Sequence, residues 1–297
     1  MSTRSSRRFD DDDYPIPTAF LAVQPDSDDA AGQQPEEQEF SSYVDAAHGP
    51  APAPDWVIIA ATAVDTDLGV MKSGKEADVS LLRRTDGDRD CLMAVKRYRD
   101  AKHRLFHRDA GYLEGRRLEG RNARRSRELR AMRTRTGFGR ELIASQWATA
   151  EFSVLSRLWQ MGAAVPYPVQ FIGTELMMEF IGNADGTAAP RLAQLRPDRH
   201  QTGRLFEQLR EVLLVVAEAG YAHADLSAYN ILVHGPENDT KLVLIDLPQA
   251  IDLVGNPHGF EFLRRDCVNV CTWFESRGIH ADVEDLYNRL MRTVPQV

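Results

Sequence analysis

His223-Ala-Asp225-Leu-Ser-Ala-Tyr-Asn230, followed by the apolar run Leu242 to Ile245 and then Asp246, decides the reading of this 297-residue chain. An aspartate stands two residues after a histidine and five before an asparagine, and a second aspartate arrives sixteen residues after that asparagine. The spacing suits phosphoryl transfer, in which one carboxylate orients a hydroxyl and takes its proton while other oxygen ligands hold Mg2+ against phosphates. Asp225 fits the first task; Asn230 and Asp246 fit the second. Asp or Asn alone is an ordinary former of turn hydrogen bonds between helix and strand, but the complete set is not explained that way. His223, between apolar neighbours and a tight turn, reads as a support that hydrogen-bonds backbone.

Working upstream, Cys91-Leu-Met-Ala-Val-Lys96 reads as a strand that ends on an ammonium, reached through the turn-forming run Thr85 to Asp90 from a strand-rich stretch around Val79 to Leu82. From Glu141 to Met161, Trp147, Leu155, Leu158 and Trp159 recur at helical spacing, and Glu151 lies on the same face. A carboxylate in an apolar stripe and an ammonium at an apolar strand are each costly alone, and pairing them removes both penalties. A phosphotransferase uses such a pair to position phosphates. For Lys96 by itself, a side chain snorkelling from a sheet edge explains the pattern equally well. Ser73-Gly-Lys-Glu-Ala-Asp-Val79 stands where a phosphate-covering loop belongs, with one glycine and neither a GxGxxG nor a Walker A pattern; its amides, the Ser73 hydroxyl and Lys75 are placed to face a triphosphate.

The remaining pattern organises the chain. Residues 1–55 carry 12 acidic side chains against 3 arginines with few large apolar residues, so disorder is expected there. Asp65 to Gly74 reads as a turn, and Val169–Ile172 with Leu176–Ile181 as a hairpin leading to a loop at Gly182 to Pro190. Gly203 to Ala219 reads as an amphipathic helix, Ile231–Val233 and Leu242–Ile245 as short strands, and the chain beyond Pro257 as helical. Between Lys96 and Arg140 there are 16 Lys and Arg against 5 Asp and Glu; the run suits phosphates, an acidic protein surface or a plain solvated face. Cys91, Cys267 and Cys271 form neither a disulfide framework nor a zinc pattern, and the last two read as helix core packing. No stretch reaches the roughly 18 apolar residues of a spanning helix, so a cytoplasmic protein without membrane association is expected.

With these residues in hand, the chain resembles the RIO kinases, atypical serine/threonine protein kinases. The likeness rests on SGKEADV at 73–79, AVK at 94–96, the EF pair at 151, LMMEFIG at 176–182, HADLSAYNIL at 223–232, IDLPQA at 245–250 and FLRRDCVNVCTWF at 262–274. The resemblance implies an α+β, two-lobed protein-kinase-like fold in truncated form, with an N-lobe over 56–181, a basic flexible insertion at 97–140 and a C-lobe over 182–297. It implies ATP and Mg2+, with Mn2+ as a substitute, adenine held at the backbone of Glu179 and Ile181, and Met178 as gatekeeper. It further implies a protein substrate, autophosphorylation, and transient phosphate on Asp246. By analogy with relatives that mature the small ribosomal subunit, it suggests an RNA or ribosomal particle as partner of the 97–140 segment.

Departures sharpen the expectation. The acidic first 55 residues do not read as a winged-helix domain. Asp246 is followed by Leu247 and Pro248 instead of Phe-Gly, which restrains the backbone. Ala224 stands where ordinary kinases carry an arginine that grips a phosphorylated loop, and residues 241–271 contain no Ser, Thr or Tyr, so switching by phosphorylation of that loop is not expected. Two rivals remain at this point. One is an ATPase-type switch that acts on a ribonucleoprotein; the other is a small-molecule kinase, disfavoured because only 51 residues follow Asp246.

Overall fold

The computed structural model describes residues 38–99, 137–236 and 239–295, with the side chains of 137–143 excepted. The acidic segment up to residue 37 and the arginine run from 100 to 136 lie outside the described residues.

The first lobe is an antiparallel sheet of seven strands in the order β1-β3-β4-β5-β7-β6-β2. Its centre is β3 (Val64–Ser73), β4 (Ala77–Asp86) and β5 (Arg89–Tyr98), and its far side is the hairpin β6 (Pro168–Ile172) and β7 (Glu175–Glu179). β5 is apolar on both faces because both are covered. Cys91, Met93 and Val95 enter one cluster with Val57, Ile58 and Tyr167, while Tyr98 packs with Ala144, Trp147 and Ala148 of α1 (Gly137–Gln160). The turn between β4 and β5 closes at Gly87, whose left-handed φ of 61° favours a residue without a side chain.

Two expectations fail here. The stretch Asp65 to Gly74, read as a turn, is most of β3; its acidic and glycine residues sit in a strand whose register against β4 is interrupted twice, between Asp67 and Val70 and between Val70 and Lys72. Such bulges absorb residues that spoil alternation. The expected disorder also does not extend to residue 55. β1 (Gln38–Phe40) pairs with β3, and β2 (Ala47–His48) pairs with β6. Tyr167 Oη donates to Pro50 O at 2.9 Å, and Gln170 Nε2 to Ser42 Oγ at 2.9 Å. Gly49 passes so close to Pro168 that a Cβ would stand 1.8 Å from its carbonyl oxygen. Apart from the β1 pairing, these are contacts to residues more than a hundred positions away, which an average over the composition of 55 residues cannot register.

The second lobe is mainly helical. α2 (Arg199–Glu218) starts ahead of the expected Gly203 because Asp198 and Gln201 form a reciprocal N-terminal cap, and it buries Leu205, Phe206, Leu209, Leu213 and Val216. α3 (Gly259–Glu275) and α4 (Val283–Thr293) complete the core around Leu263, Val270, Phe274 and Leu286. Two short ladders hold the loops of interest: β8 (Tyr221–Ala222) pairs with β11 (Ile251–Asp252), and β9 (Ile231–His234) with β10 (Lys241–Leu244). They bring the segments 223–230 and 245–250 side by side. Among the described residues no helix is long and apolar enough to cross a membrane.

Candidate active site

Lys96, Glu151 and Asp246 meet between the lobes. Lys96 Nζ lies 2.9 Å from Glu151 Oε1 and 2.7 Å from Asp246 Oδ1. Burial works to lower the Lys96 pKa, but the two carboxylates outweigh it, so the ammonium is held above its ordinary range. Glu151 is 1% exposed and fully used: Oε1 also accepts the Leu247 amide at 3.2 Å, and Oε2 accepts the Tyr98 hydroxyl. Burial opposes ionisation of Asp246, yet Lys96 first, then Lys72, draw its pKa down to about 2.

The backbone at Asp246 is left-handed, with φ of 67°, a conformation that costs a side-chain-bearing residue about 1–2 kcal/mol. It persists because its neighbours are tied: Ile245 N donates to Asn230 O at 3.0 Å, Ile245 O accepts His223 Nε2 at 3.0 Å, and Leu247 N is held by Glu151. Since His223 Nδ1 accepts the Asp225 amide at 3.3 Å, the proton belongs on Nε2. His223 is thus the backbone support that its apolar setting suggests.

Asn230 is nearly buried, and its Nδ2 donates to Asp225 O at 2.9 Å, which leaves Oδ1 as the atom for a cation. With the Asp246 carboxylate it offers hard oxygen donors of the kind that Mg2+ takes together with phosphates. At the other end of the cleft, Glu179 N donates to Tyr167 O at 2.8 Å and Ala189 N to Ile181 O at 2.9 Å. Met178 stands opposite Ala94 in the β5–β7 ladder.

A model of the RIO domain matches residues 88–286. The chain belongs to the RIO family of serine/threonine protein kinases. It is 37% identical over 226 residues to RIO-type serine/threonine-protein kinase Rio1 of Haloferax volcanii, an alignment that covers 75% of this chain and 68% of the relative. It is 32% identical over 216 residues to serine/threonine-protein kinase RIO1 of Caenorhabditis elegans, covering 71% of this chain but only 37% of that one. Among solved structures it is similar to a Rio2 kinase–ADP/Mg2+–phosphoaspartate complex from Chaetomium thermophilum, with a TM-score of 0.57 and 19% identity over 77% of this chain and 61% of the other, which bears on the fold alone. Relatives named as protein kinases do not favour the ATPase switch.

Within this RIO fold several residues act that motif reading passed over. Asp266 of α3, 2% exposed, accepts the amides of Ala224 at 2.7 Å and Leu226 at 3.1 Å. Arg265 donates to Ala224 O, and Asn269 Nδ2 to Leu226 O at 3.1 Å. Both amides and both carbonyls of the residues flanking Asp225 are therefore tied to one helix, which holds Ala224 at its φ of 65°. The signal was in the quoted FLRRDCVNV segment, as a charge at a buried helix position. The covering hairpin departs from expectation as well. Ser73 Oγ donates to Asp78 Oδ1 at 2.6 Å and accepts from Arg99 at 2.6 Å, so the hydroxyl clasps the hairpin, and Lys75 is exposed at its tip. The lysine whose charge acts on Asp246 from this hairpin is Lys72. Arg97, placed at the start of the basic insertion, belongs to β5 and binds Glu175 and Asp67.

Proposed function

We propose that this chain binds MgATP in the cleft between its lobes and transfers the terminal phosphate to serine or threonine hydroxyls of a protein substrate and of itself, in the cytoplasm. The observation that carries the reading is the single lysine, Lys96, that joins a buried helix glutamate to an aspartate lying beside the Asp225–Asn230 loop. In this reading Lys96, oriented by Glu151, anchors the inner phosphates. The hairpin Ser73–Ala77 covers them with backbone, its turn tightened by the bond from Gly74 N to Ala77 O at 3.0 Å. Adenine lies against Met178 with Glu179 and Ile181 presenting backbone groups. Asn230 Oδ1 and the Asp246 carboxylate hold the magnesium, whose charge when bound offsets the negative charge of the phosphates. Asp225, on the rigid loop held by α3, orients the acceptor hydroxyl and takes its proton. A docking role for the arginine run toward RNA or a ribosomal particle remains a proposal from its charge alone.

The test is incubation of the purified protein with γ-labelled ATP and magnesium, with and without lysate proteins. Stable label on serine or threonine is expected. Asp225→Ala should lower the rate about 10²- to 10⁴-fold while leaving nucleotide binding intact. Wild-type turnover in that variant refutes the assignment; free phosphate with only a hydroxylamine-sensitive adduct points to a switch instead.

A further inference from the structure

Two cations at the mouth of the cleft are unexplained by the roles given above. Lys72 sits on β3 opposite Val79 of β4, and Val79 sits opposite Lys96 of β5. Residues directly opposed across an antiparallel ladder project from the same face, so Lys72 stands on the face that carries Lys96 toward Glu151 and Asp246, about 10 Å along the sheet. Arg191 comes from the other lobe. It forms a bridge with Leu232, and its Nη1 donates to the carbonyl of Tyr229, the residue just before Asn230.

Neither Lys72 nor Arg191 has a carboxylate within ion-pair distance among the described residues, although each feels the charge of Asp246. Partial desolvation of the ammonium, in a residue that is exposed overall, lowers the Lys72 pKa, and the charge of the Arg191 guanidinium lowers it further, so the two positive groups bear on one another at a mutual cost. Lys72 is exposed and Arg191 half-buried, and both therefore remain open to a ligand. Of the two carboxylates whose charge reaches Lys72, Asp246 is already bound by Lys96 and Glu76 makes no ion pair with Lys72. Two unpaired cations, one on each lobe, fixed by a strand register and by a backbone bond, ask for an anion between them.

Resting on the MgATP reading above, we infer that Lys72 and Arg191 form a clamp across the lobes for the terminal phosphate of the nucleotide, so that the closed arrangement of the cleft distinguishes triphosphate from diphosphate. The hinge end at Ile181 fixes the direction of the nucleotide, and Lys96 lies between that end and Asp246. The phosphate farthest from the base falls beyond Lys96, at the end where Lys72, Arg191 and Asn230 converge. After transfer the clamp loses its anion, the two cations again repel, and the diphosphate is released more readily.

The experiment is calorimetric binding of a non-hydrolysable triphosphate analogue and of ADP, each with magnesium, to the full chain and to Lys72→Ala, Arg191→Ala and Arg191→Lys. Wild type is expected to prefer the triphosphate. Each alanine variant should lose about tenfold in triphosphate affinity, the loss of one charge-assisted contact, with ADP affinity unchanged within about twofold. Arg191→Lys should recover part of the loss. Unchanged triphosphate affinity in Lys72→Ala, or equal losses for both nucleotides, overturns the clamp. Wild-type protein that binds neither nucleotide overturns the MgATP reading itself. Should Arg191→Ala unfold for want of its bond to Tyr229, the exposed Lys72 still decides the matter.

Discussion

Asp266→Asn isolates the claim that one carboxylate from α3 sets the shape of the Asp225 loop. The aspartate accepts two amides, those of Ala224 and Leu226, in a site from which water is excluded. An asparagine of the same shape keeps one accepting oxygen and turns an N–H2 group toward the other amide. One charge-assisted bond is lost and a buried amide is left without an acceptor, which together cost about 2–3 kcal/mol. For a protein of this size that is a fall in Tm of roughly 5–10 °C. The functional consequence is separable from the stability loss. Lys96, Glu151 and the Ile181 amide make no bond to Asp266, so nucleotide affinity should hold. Ala224 is free to leave its left-handed conformation, however, and displacement of Asp225 by about 1 Å is worth roughly 10²-fold in rate. The assay pairs urea unfolding with turnover and KM for ATP. A variant that unfolds at the wild-type midpoint, or turns over at the wild-type rate, refutes the argument that α3 holds the loop. A rise in KM with turnover intact refutes the assignment of the effect to Asp225.

Three further outcomes are expected. Lys96→Met should destabilise the protein by about 3 kcal/mol, because Glu151 at 1% exposure is left without its cation; Lys96→Met with Glu151→Gln should recover part of that stability and no activity, as measured by urea melts beside the labelling assay. The folded pKa of Asp246, about 2, lies below the ordinary carboxylate value of 3.8. Its contribution to stability is thus fully present above the ordinary value and is lost as pH falls through the folded one. Acid unfolding of the nucleotide-free protein followed between those two values should be steeper in wild type than in Asp246→Asn. Finally, burial pushes the thiols of Cys267 and Cys271 up to about 12 and 11, leaving at most about one part in 10³ as thiolate at pH 8. With Cys91 buried too, a maleimide should label no cysteine in the native protein and all three after denaturation, and rapid native-state labelling of Cys267 or Cys271 would show that α3 is not packed as described.

The set to which the chemistry is assigned in the proposed function was legible because phosphoryl transfer places its groups at short, fixed separations along the chain. Asp225, Asn230 and Asp246 lie on two neighbouring loops joined by one hairpin, and local spacing is visible without knowledge of the fold. The pairing of Lys96 with Glu151 was legible for another reason: each was a charge in an apolar pattern, and the penalty for leaving either alone pointed to the other. Strand β5 announced itself as a continuous apolar run, which burial of both its faces enforces, and helix α1 by apolar residues at helical spacing. The helix α3 was expected, but its grip on residues 224–226 was not, since a buried carboxylate at a helical position does not say which amides it meets.

What the tertiary structure alone decided lies where partners are far apart in sequence or where the repeat is broken. Residues 38–55 join the sheet through contacts to residues 167–171, and composition carries no trace of that pairing. Lys72 reaches the face of Lys96 through a strand interrupted by two register shifts, so alternation counted from Val64 puts it nowhere in particular. Ser73 and Lys75, the motif residues, are respectively bound within the hairpin and exposed at its tip, because Asp78 and Arg99 compete successfully for the hydroxyl. Sequence by itself singled out the residues proposed for the chemistry; the packing of sheet against helices determined which cations surround them, because the register of a bulged strand and the meeting of two lobes are set by long-range contacts that no local pattern encodes.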